Sequence, residues 1–310
     1  MSFHPDLLPW APWLPRSAVS SLTRPLLRWL TAHTPAPKVR ADVLIEDKHT
    51  PEGAVRVRMV RPAQASGPLP ALVWMHGGGY IIGAPEQDEA LTADISAELG
   101  IVVASVNYRI APEHPFPAPL DDCAAALRWL HGEAAALGVR PDRVAVGGAS
   151  AGAGLAAALA QRAHDEGLPV AFQLLLYPML DDRTVTRADL DTTHHRIWSQ
   201  TSNRLGWSAY LGQAPGADAT PPYAVPARRE SLGGLPPAWI GVGTLDLFHD
   251  EDVAYAQRLT AAGVPTELVV VPGAYHGFDA TQGSAAVSRA FRDAAKAALR
   301  HGLFAEAALR

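Results

Sequence analysis

The feature that most constrains this chain is a series of short, almost wholly apolar runs separated by segments of helical period. Residues 71–75, 101–106, 144–146, 172–176, 238–242 and 268–271 are apolar at nearly every position. A strand with one wet face alternates apolar and polar residues, so runs without alternation belong to strands covered on both faces. That is the mark of a parallel sheet sandwiched between helices. Between the runs, Leu120, Ala124, Leu127 and Leu130, and later Val287, Phe291, Ala294 and Ala298, recur at intervals of three and four, which predicts helices. One earlier run, residues 54–60, does alternate and predicts a half-buried antiparallel strand. Antiparallel strands first, then alternating strand and helix, predict an α/β fold with a doubly wound, mostly parallel central sheet and helices on both faces.

Composition removes whole classes of function. The net charge is −5 and no basic block exceeds a dipeptide, so the clustered cations that neutralise nucleic-acid phosphates are missing. A single cysteine, Cys123, excludes an intrachain disulfide and any cysteine-cluster metal site. No apolar stretch approaches the ~20 residues of a membrane span. The first residues lack a basic region and carry prolines at 5, 9, 12 and 15, the opposite of a secretory signal, so a cytoplasmic protein is expected.

Two segments interrupt the alternation. In the first, residues 1–40, Val19, Leu22, Leu26 and Leu30 predict a helix over 17–31, with Trp10, Trp13 and Trp29 nearby. Its apolar face is expected to pack down as part of a lid. A membrane-surface helix would share the pattern but is normally richer in Lys and Arg. The second interruption, residues 181–215, carries Trp198, Trp207 and Tyr210 at spacings compatible with one helix face. Long insertions in α/β domains are commonly lids, so 1–40 and 181–215 are expected to form one helical cap on a main domain spanning 41–310.

The chemistry starts at Gly148-Ala149-Ser150-Ala151-Gly152, between the 144–146 run and an alanine-rich helix former. A serine at so sharp a strand-to-helix turn projects its Oγ beyond the sheet edge, with the positive end of the following helix beneath it. Small neighbours at 148 and 152 permit the close approach. His76-Gly77-Gly78-Gly79-Tyr80 directly follows the 71–75 run. Three glycines leave backbone N–H groups unshielded, able to aim at one oxyanion. A phosphate loop would need a Gly-Lys-Ser/Thr that is missing here. His76 is expected to orient this loop rather than react.

Serine needs a base, and active groups in such sheets lie beyond the carboxyl ends of strands. Of twelve histidines, His276 sits just past the 268–271 run. His4, His33, His131, His164, His194, His195 and His301 are expected at the surface, and His49 and His114 on early loops without a partner acid. Asp246 follows the 238–242 run and supplies the acid, with Asp250 and Asp252 as rivals that fall in the first turn of the next helix.

With these residues in place, the sequence resembles the hormone-sensitive-lipase-like branch of the α/β-hydrolases, the bacterial carboxylesterases called family IV. The resemblance spans roughly residues 40–305. It rests on His76-Gly77-Gly78-Gly79, the segment from Tyr108 through Arg109, Pro112, Glu113 and Pro115 to Ala118, the Ser150 elbow, Asp246 with Asp250-Glu251, and His276-Gly277-Phe278. The resemblance implies an α/β-hydrolase fold with a cap, a Ser150–Asp246–His276 triad, and an oxyanion hole from the N–H groups of Gly78, Gly79 and Ala151. It also implies that the Tyr108 to Ala118 segment is a structural loop under the site. Ala149 stands where the family usually has Asp, Glu or Thr, Ala153 where it has Gly, and Leu247 where it has Pro.

The implied activity is hydrolysis of short- to medium-chain acyl esters through an acyl-enzyme on Ser150, with no cofactor and no metal. Two alternatives share the fold: a small-molecule-binding homologue without turnover, and an amidase using the same triad. Tyr80, Trp198, Trp207, Tyr210 and Phe248 are candidates for an apolar substrate pocket. The partner expected is a small-molecule ester, and a homodimer through the sheet edge is compatible with the fold.

Overall fold

A computed structural model describes residues 2–33, 40–51 and 54–305 of the chain. Met1 and residues 34–39 of the predicted cap segment lie outside the described residues. In chain order the elements are α1 (Arg24–His33), β1 (Val43–His49), β2 (Arg56–Pro62), β3 (Leu69–Met75), α2 (Glu89–Leu99), β4 (Val102–Val106), α3 (Ala118–Gly132) and α4 (Ala134–Leu137). Then follow β5 (Val139–Ala149), α5 (Ala151–Asp165), β6 (Phe172–Leu176), α6 (Gln200–Leu211), β7 (Ala238–Gly243), α7 (His249–Ala261), β8 (Thr266–Val271), α8 (Phe278–Thr281) and α9 (Ala286–Phe304).

The strands form one sheet in the order β1-β2-β4-β3-β5-β6-β7-β8. β2 runs antiparallel to β1 and β4, and the remaining neighbours are parallel. The uninterrupted apolar runs are explained by the two buried clusters on the two faces. Within β3, Val73 and Met75 enter one cluster and Leu72 and Trp74 the other, so every position of the strand is covered. Leu127 of α3, Leu159 of α5 and Leu259 of α7 pack on the first face. Ile95 of α2 and Phe291 and Leu299 of α9 pack on the second, joined by Phe3 and Leu7. After β4 the winding reverses, because β5 is laid on the far side of β3. The crevice beyond the carboxyl ends of β3 and β5 is therefore the switch point of the sheet, where such folds bind their ligands.

The N-terminal segment departs from expectation in two ways. The helix begins at Arg24 rather than near residue 17. Pro25 has no N–H to donate and its ring clashes with a preceding turn, so it is tolerated only in the first turn of a helix. Ser20 and Thr23 form the turn before it through reciprocal hydrogen bonds, Ser20 N–H to Thr23 Oγ1 at 2.9 Å and Thr23 N–H to Ser20 Oγ at 3.2 Å. Secondly, the apolar stripe does not pack down. Val19 is buried, but Leu22 is 89 % exposed, Leu26 60 % and Leu30 41 %, with Trp13 85 % exposed. The core anchors the segment through Phe3, Leu7, Ala11, Val19 and Leu27 instead.

The segment is nonetheless joined to the insertion. Ala18 N–H donates to Ile197 O at 2.9 Å, Ile197 N–H to Pro15 O at 2.8 Å, and Ser202 Oγ to Val19 O at 2.6 Å. Arg196 Nε reaches Ala11 O at 2.8 Å. Within the insertion, Trp207 and Tyr210 lie on α6, whereas Trp198 precedes it. Ser199 caps the helix by accepting from Ser202 N–H, so Trp198 belongs to the loop and not to the helix face.

Candidate active site

The site is assembled at the switch point from four strand ends. β5 ends at Ala149, and Ser150 takes φ 57° and ψ −122°, a conformation costly for a residue with a Cβ. Three backbone bonds hold it there: Ser150 N–H to Leu176 O at 2.9 Å, and Ser150 O accepting from Gly154 N–H at 3.0 Å and Met179 N–H at 3.1 Å. The glycines at 148 and 152 are obligatory for packing. A Cβ at Gly148 would sit 2.5 Å from Met75 O, and one at Gly152 2.1 Å from the same atom. With glycine at both places, α5 starts directly against β3.

His276, on the loop after β8, faces Ser150 with Nε2 2.9 Å from its Oγ. Its Nδ1 lies 2.8 Å from Asp246 Oδ2, in the loop after β7. The other carboxylate oxygen of Asp246 accepts the Phe248 N–H at 3.0 Å, which fixes the carboxylate plane. With Nδ1–H donating to Asp246, Nε2 is free to accept the serine proton, so the tautomer needed for a general base is set by the acid. All three side chains are buried. The structure therefore brings Ser150, Asp246 and His276 into one hydrogen-bonded chain. Asp250 is instead engaged with His249 and Arg187 at the surface, and Asp252 lies buried in the first turn of α7.

Gly78 and Gly79 follow β3 with φ of 125° and 59°. Among the described residues no acceptor takes the N–H of Gly78, Gly79 or Ala151. Ala151 is the first residue of α5, so its N–H lies at the positive end of that helix. His76 steadies the loop. Its ring stacks on Tyr108 with centroids 4.2 Å apart, its Nδ1 is 2.8 Å from Gly77 O, and Tyr108 donates its hydroxyl to His76 O at 2.7 Å. Burial pushes the His76 imidazole down to about 4, leaving it neutral at ordinary pH.

The five aromatic candidates separate into two groups. Trp198 and Phe248 flank the imidazole of His276, with centroids 6.4 Å and 5.1 Å away. Tyr80, Trp207 and Tyr210 pack on one another: Tyr80 stacks on Tyr210 at 4.0 Å, tilts against Trp207 at 5.4 Å, and donates its hydroxyl to Met179 O at 3.1 Å. Among the described residues, none of these three makes a ring contact with His276.

Three buried groups near the site were not anticipated. Tyr177, at the end of β6, lays its ring edge 5.0 Å from His276 and donates its hydroxyl to Asp279 Oδ1 at 2.9 Å. Its place at a strand's carboxyl end, just before Pro178, was the available signal. Glu251 accepts the N–H groups of Leu180 at 2.7 Å and Asp181 at 3.1 Å and the hydroxyl of Thr184, fastening the start of the insertion to α7. Burial pushes its carboxyl well up despite these donors. His195, expected at the surface, is buried within the 181–215 insertion, beside Arg196, whose guanidinium lies 4.8 Å from the Phe3 ring centroid. Burial lowers its imidazole.

The comparisons with known proteins agree with this geometry. Residues 72–280 match a family model described as an alpha/beta hydrolase fold. The chain is similar to the carboxylesterase NlhH of Mycobacterium tuberculosis, 38 % identical over 230 residues that cover 72 % of this chain and 71 % of the relative. An ethyl acetate hydrolase of Pseudomonas putida is 34 % identical over 75 % of this chain and 72 % of its own. Among solved structures, a bacterial heroin esterase superposes with a TM-score of 0.89 at 38 % identity, covering 97 % of this chain and 98 % of that one. The chain belongs to the hormone-sensitive-lipase-like carboxylic ester hydrolases of the α/β-hydrolase superfamily.

Proposed function

We propose that this carboxylesterase works through an acyl-enzyme on Ser150 and prefers short- to medium-chain acyl groups. His276 takes the Oγ proton as Ser150 attacks the ester carbonyl, and Asp246 stabilises the imidazolium that forms. The N–H groups of Gly78, Gly79 and Ala151 receive the oxyanion of the tetrahedral intermediate, a donor of this kind being worth about 3 kcal/mol of barrier. The imidazolium then protonates the departing alcohol. Water, deprotonated by the same His276, attacks the acyl carbonyl and returns Ser150 to its hydroxyl form. No step draws on a metal or cofactor.

The observation that carries this reading is the pair of bonds at 2.9 Å and 2.8 Å linking Ser150, His276 and Asp246. Trp198 and Phe248 beside the imidazole favour an apolar acyl group. The relatives named ethyl acetate hydrolase and acetyl-hydrolase favour a small one. Residues 1–40 and 181–215 are assigned together as the cap, on the strength of the hydrogen bonds that join them.

A panel of p-nitrophenyl esters tests the assignment. kcat/KM is expected to peak below about ten acyl carbons, and Ser150→Ala is expected to lose turnover and fluorophosphonate labelling together. Wild-type turnover in Ser150→Ala would refute the nucleophile, and a peak on long-chain triglyceride emulsions would refute the chain length. A matched ester and amide pair distinguishes esterase from amidase.

A further inference from the structure

Among the described residues, five other than glycine have positive φ, and of these Ile197 alone is β-branched, with φ 69°. A left-handed backbone is costliest for such a side chain. The hydrogen bonding around it is that of a tight turn, for Trp198 N–H donates to Arg196 O at 2.7 Å, two residues back. A bond of that span around a residue of positive φ is a γ-turn of the rare, strained kind. Strain of this sort persists only where the surroundings over-determine it, and it gathers at ligand clamps and switches.

Here the N-terminal segment supplies the surroundings. Ile197 N–H donates to Pro15 O at 2.8 Å, and Ile197 O accepts the Ala18 N–H at 2.9 Å, so both backbone groups of the strained residue are held by the same segment. Its neighbour Arg196 is held as well, through Nε to Ala11 O at 2.8 Å. What the turn aims is Trp198. The indole lies between the glycine loop and α6, where a Cβ on Gly206 would stand 3.5 Å from Trp198 Cζ2 and 2.7 Å from Gly79 O. Its Nε1–H donates to Asn203 Oδ1 at 3.4 Å. If Ile197 turned to the negative φ that its side chain prefers, the chain carrying Trp198 would swing and the ring would leave Gly79. We propose that Ile197 is the positioning residue through which the N-terminal segment sets acyl-chain selectivity. The clamped turn holds the Trp198 indole as a wall of the acyl pocket, and the wall shuts out longer chains. This rests on the acyl-enzyme reading above, in which Trp198 lies beside the acyl group.

The test measures kcat/KM on p-nitrophenyl butyrate and decanoate, which share a leaving group, and reads the decanoate-to-butyrate ratio. Trp198→Ala removes the wall and should raise the ratio about tenfold. Ala18→Pro removes the N–H that holds Ile197 O and should raise the ratio at least about threefold. Ile197→Gly added to Ala18→Pro lets positive φ persist without the clamp, so the ratio should return part of the way to the wild-type value. Ser202→Ala loosens the same segment without a proline, by removing bonds to Val19 O at 2.6 Å and Ser17 Oγ at 2.8 Å. It should move the ratio in the same direction, and it serves if Ala18→Pro does not fold. A clamp that only stabilises the fold would lower both rates together and leave the ratio in place. That result in the folded clamp variants, with Trp198→Ala raising the ratio, overturns the role of Ile197 and leaves the acyl-pocket reading standing. A double variant whose ratio equals that of Ala18→Pro overturns it too. An unmoved ratio in Trp198→Ala removes the indole from the acyl pocket, and this inference falls with it.

Discussion

The indole of Trp198 lies directly on Gly79: a Cβ built at that glycine would stand 2.1 Å from Trp198 Cη2. The 181–215 insertion thus reaches the glycine loop after β3, and the same ring lies 6.4 Å from His276. Gly79→Ala must displace the indole and also hold a Cβ at φ 59°. A fall of about a hundredfold in kcat is expected, the effect of losing one oxyanion donor. In the double variant with Trp198→Ala the clash is gone and only the backbone strain remains, so kcat should exceed that of Gly79→Ala alone. Equal kcat in the two would mean that the indole does not constrain the loop.

The rival acids give opposite predictions. Asp246→Asn keeps the shape but offers an amide where His276 needs an acceptor, and a loss of about 10⁴ in kcat is expected. Asp252 lies fully buried, with neither carboxylate oxygen partnered among the described residues, and burial pushes its carboxyl well up. A carboxyl raised in the folded state costs stability as pH climbs through its unfolded range, near 3.9, towards the folded value. Asp252→Asn should therefore be more stable than the wild type at pH 8, by on the order of 1–2 kcal/mol, and gain less at pH 5. Thermal melts at the two pH values check this. A variant destabilised equally at both would show that the carboxylate is satisfied.

His76 predicts an acid-side loss of stability. Its imidazole is held down to about 4 by burial, against 6.5 in the unfolded chain. Between those values the unfolded chain binds a proton that the native protein excludes, so stability falls as pH drops through the window. Between pH 7.5 and pH 5 this amounts to about 2 kcal/mol. Urea midpoints across that range should decline in the wild type and decline less in His76→Phe. Parallel slopes would assign the decline to other groups.

Tyr177 is expected to act by positioning His276. Tyr177→Phe keeps the ring beside the imidazole but removes the bond to Asp279 that holds it. kcat should fall several-fold, in the range of ~3–10, with KM little changed, since no substrate contact is lost. Steady-state kinetics on p-nitrophenyl butyrate separate the two parameters. A change confined to KM would place Tyr177 in the substrate pocket instead.

The outcome of each sequence expectation follows from how local its cause was. The parallel strands were legible because burial on both faces leaves no polar position to interrupt them, and their observed limits extend the predicted runs by a few residues at most, except in β5. That strand starts at Val139, which pairs with Leu69 of β3, and its exposed residues 140–142 broke the apolar run that would have marked it. The late start of α1 was also legible, since Pro25 is visible in the chain. The periodicity of the leucines concealed it.

What the sequence determined by itself is the sheet and the sharp turn at Ser150, together with the glycine loop whose amides no side chain shields. Each depends on neighbours a few residues away, through apolar patterning, a Gly-flanked serine and consecutive glycines. Only the tertiary structure decided which carboxylate meets His276, which rings lean on the imidazole, and which way the N-terminal leucines point. Those outcomes turn on contacts between segments far apart in the chain, and they are fixed by how helices and loops pack over the sheet.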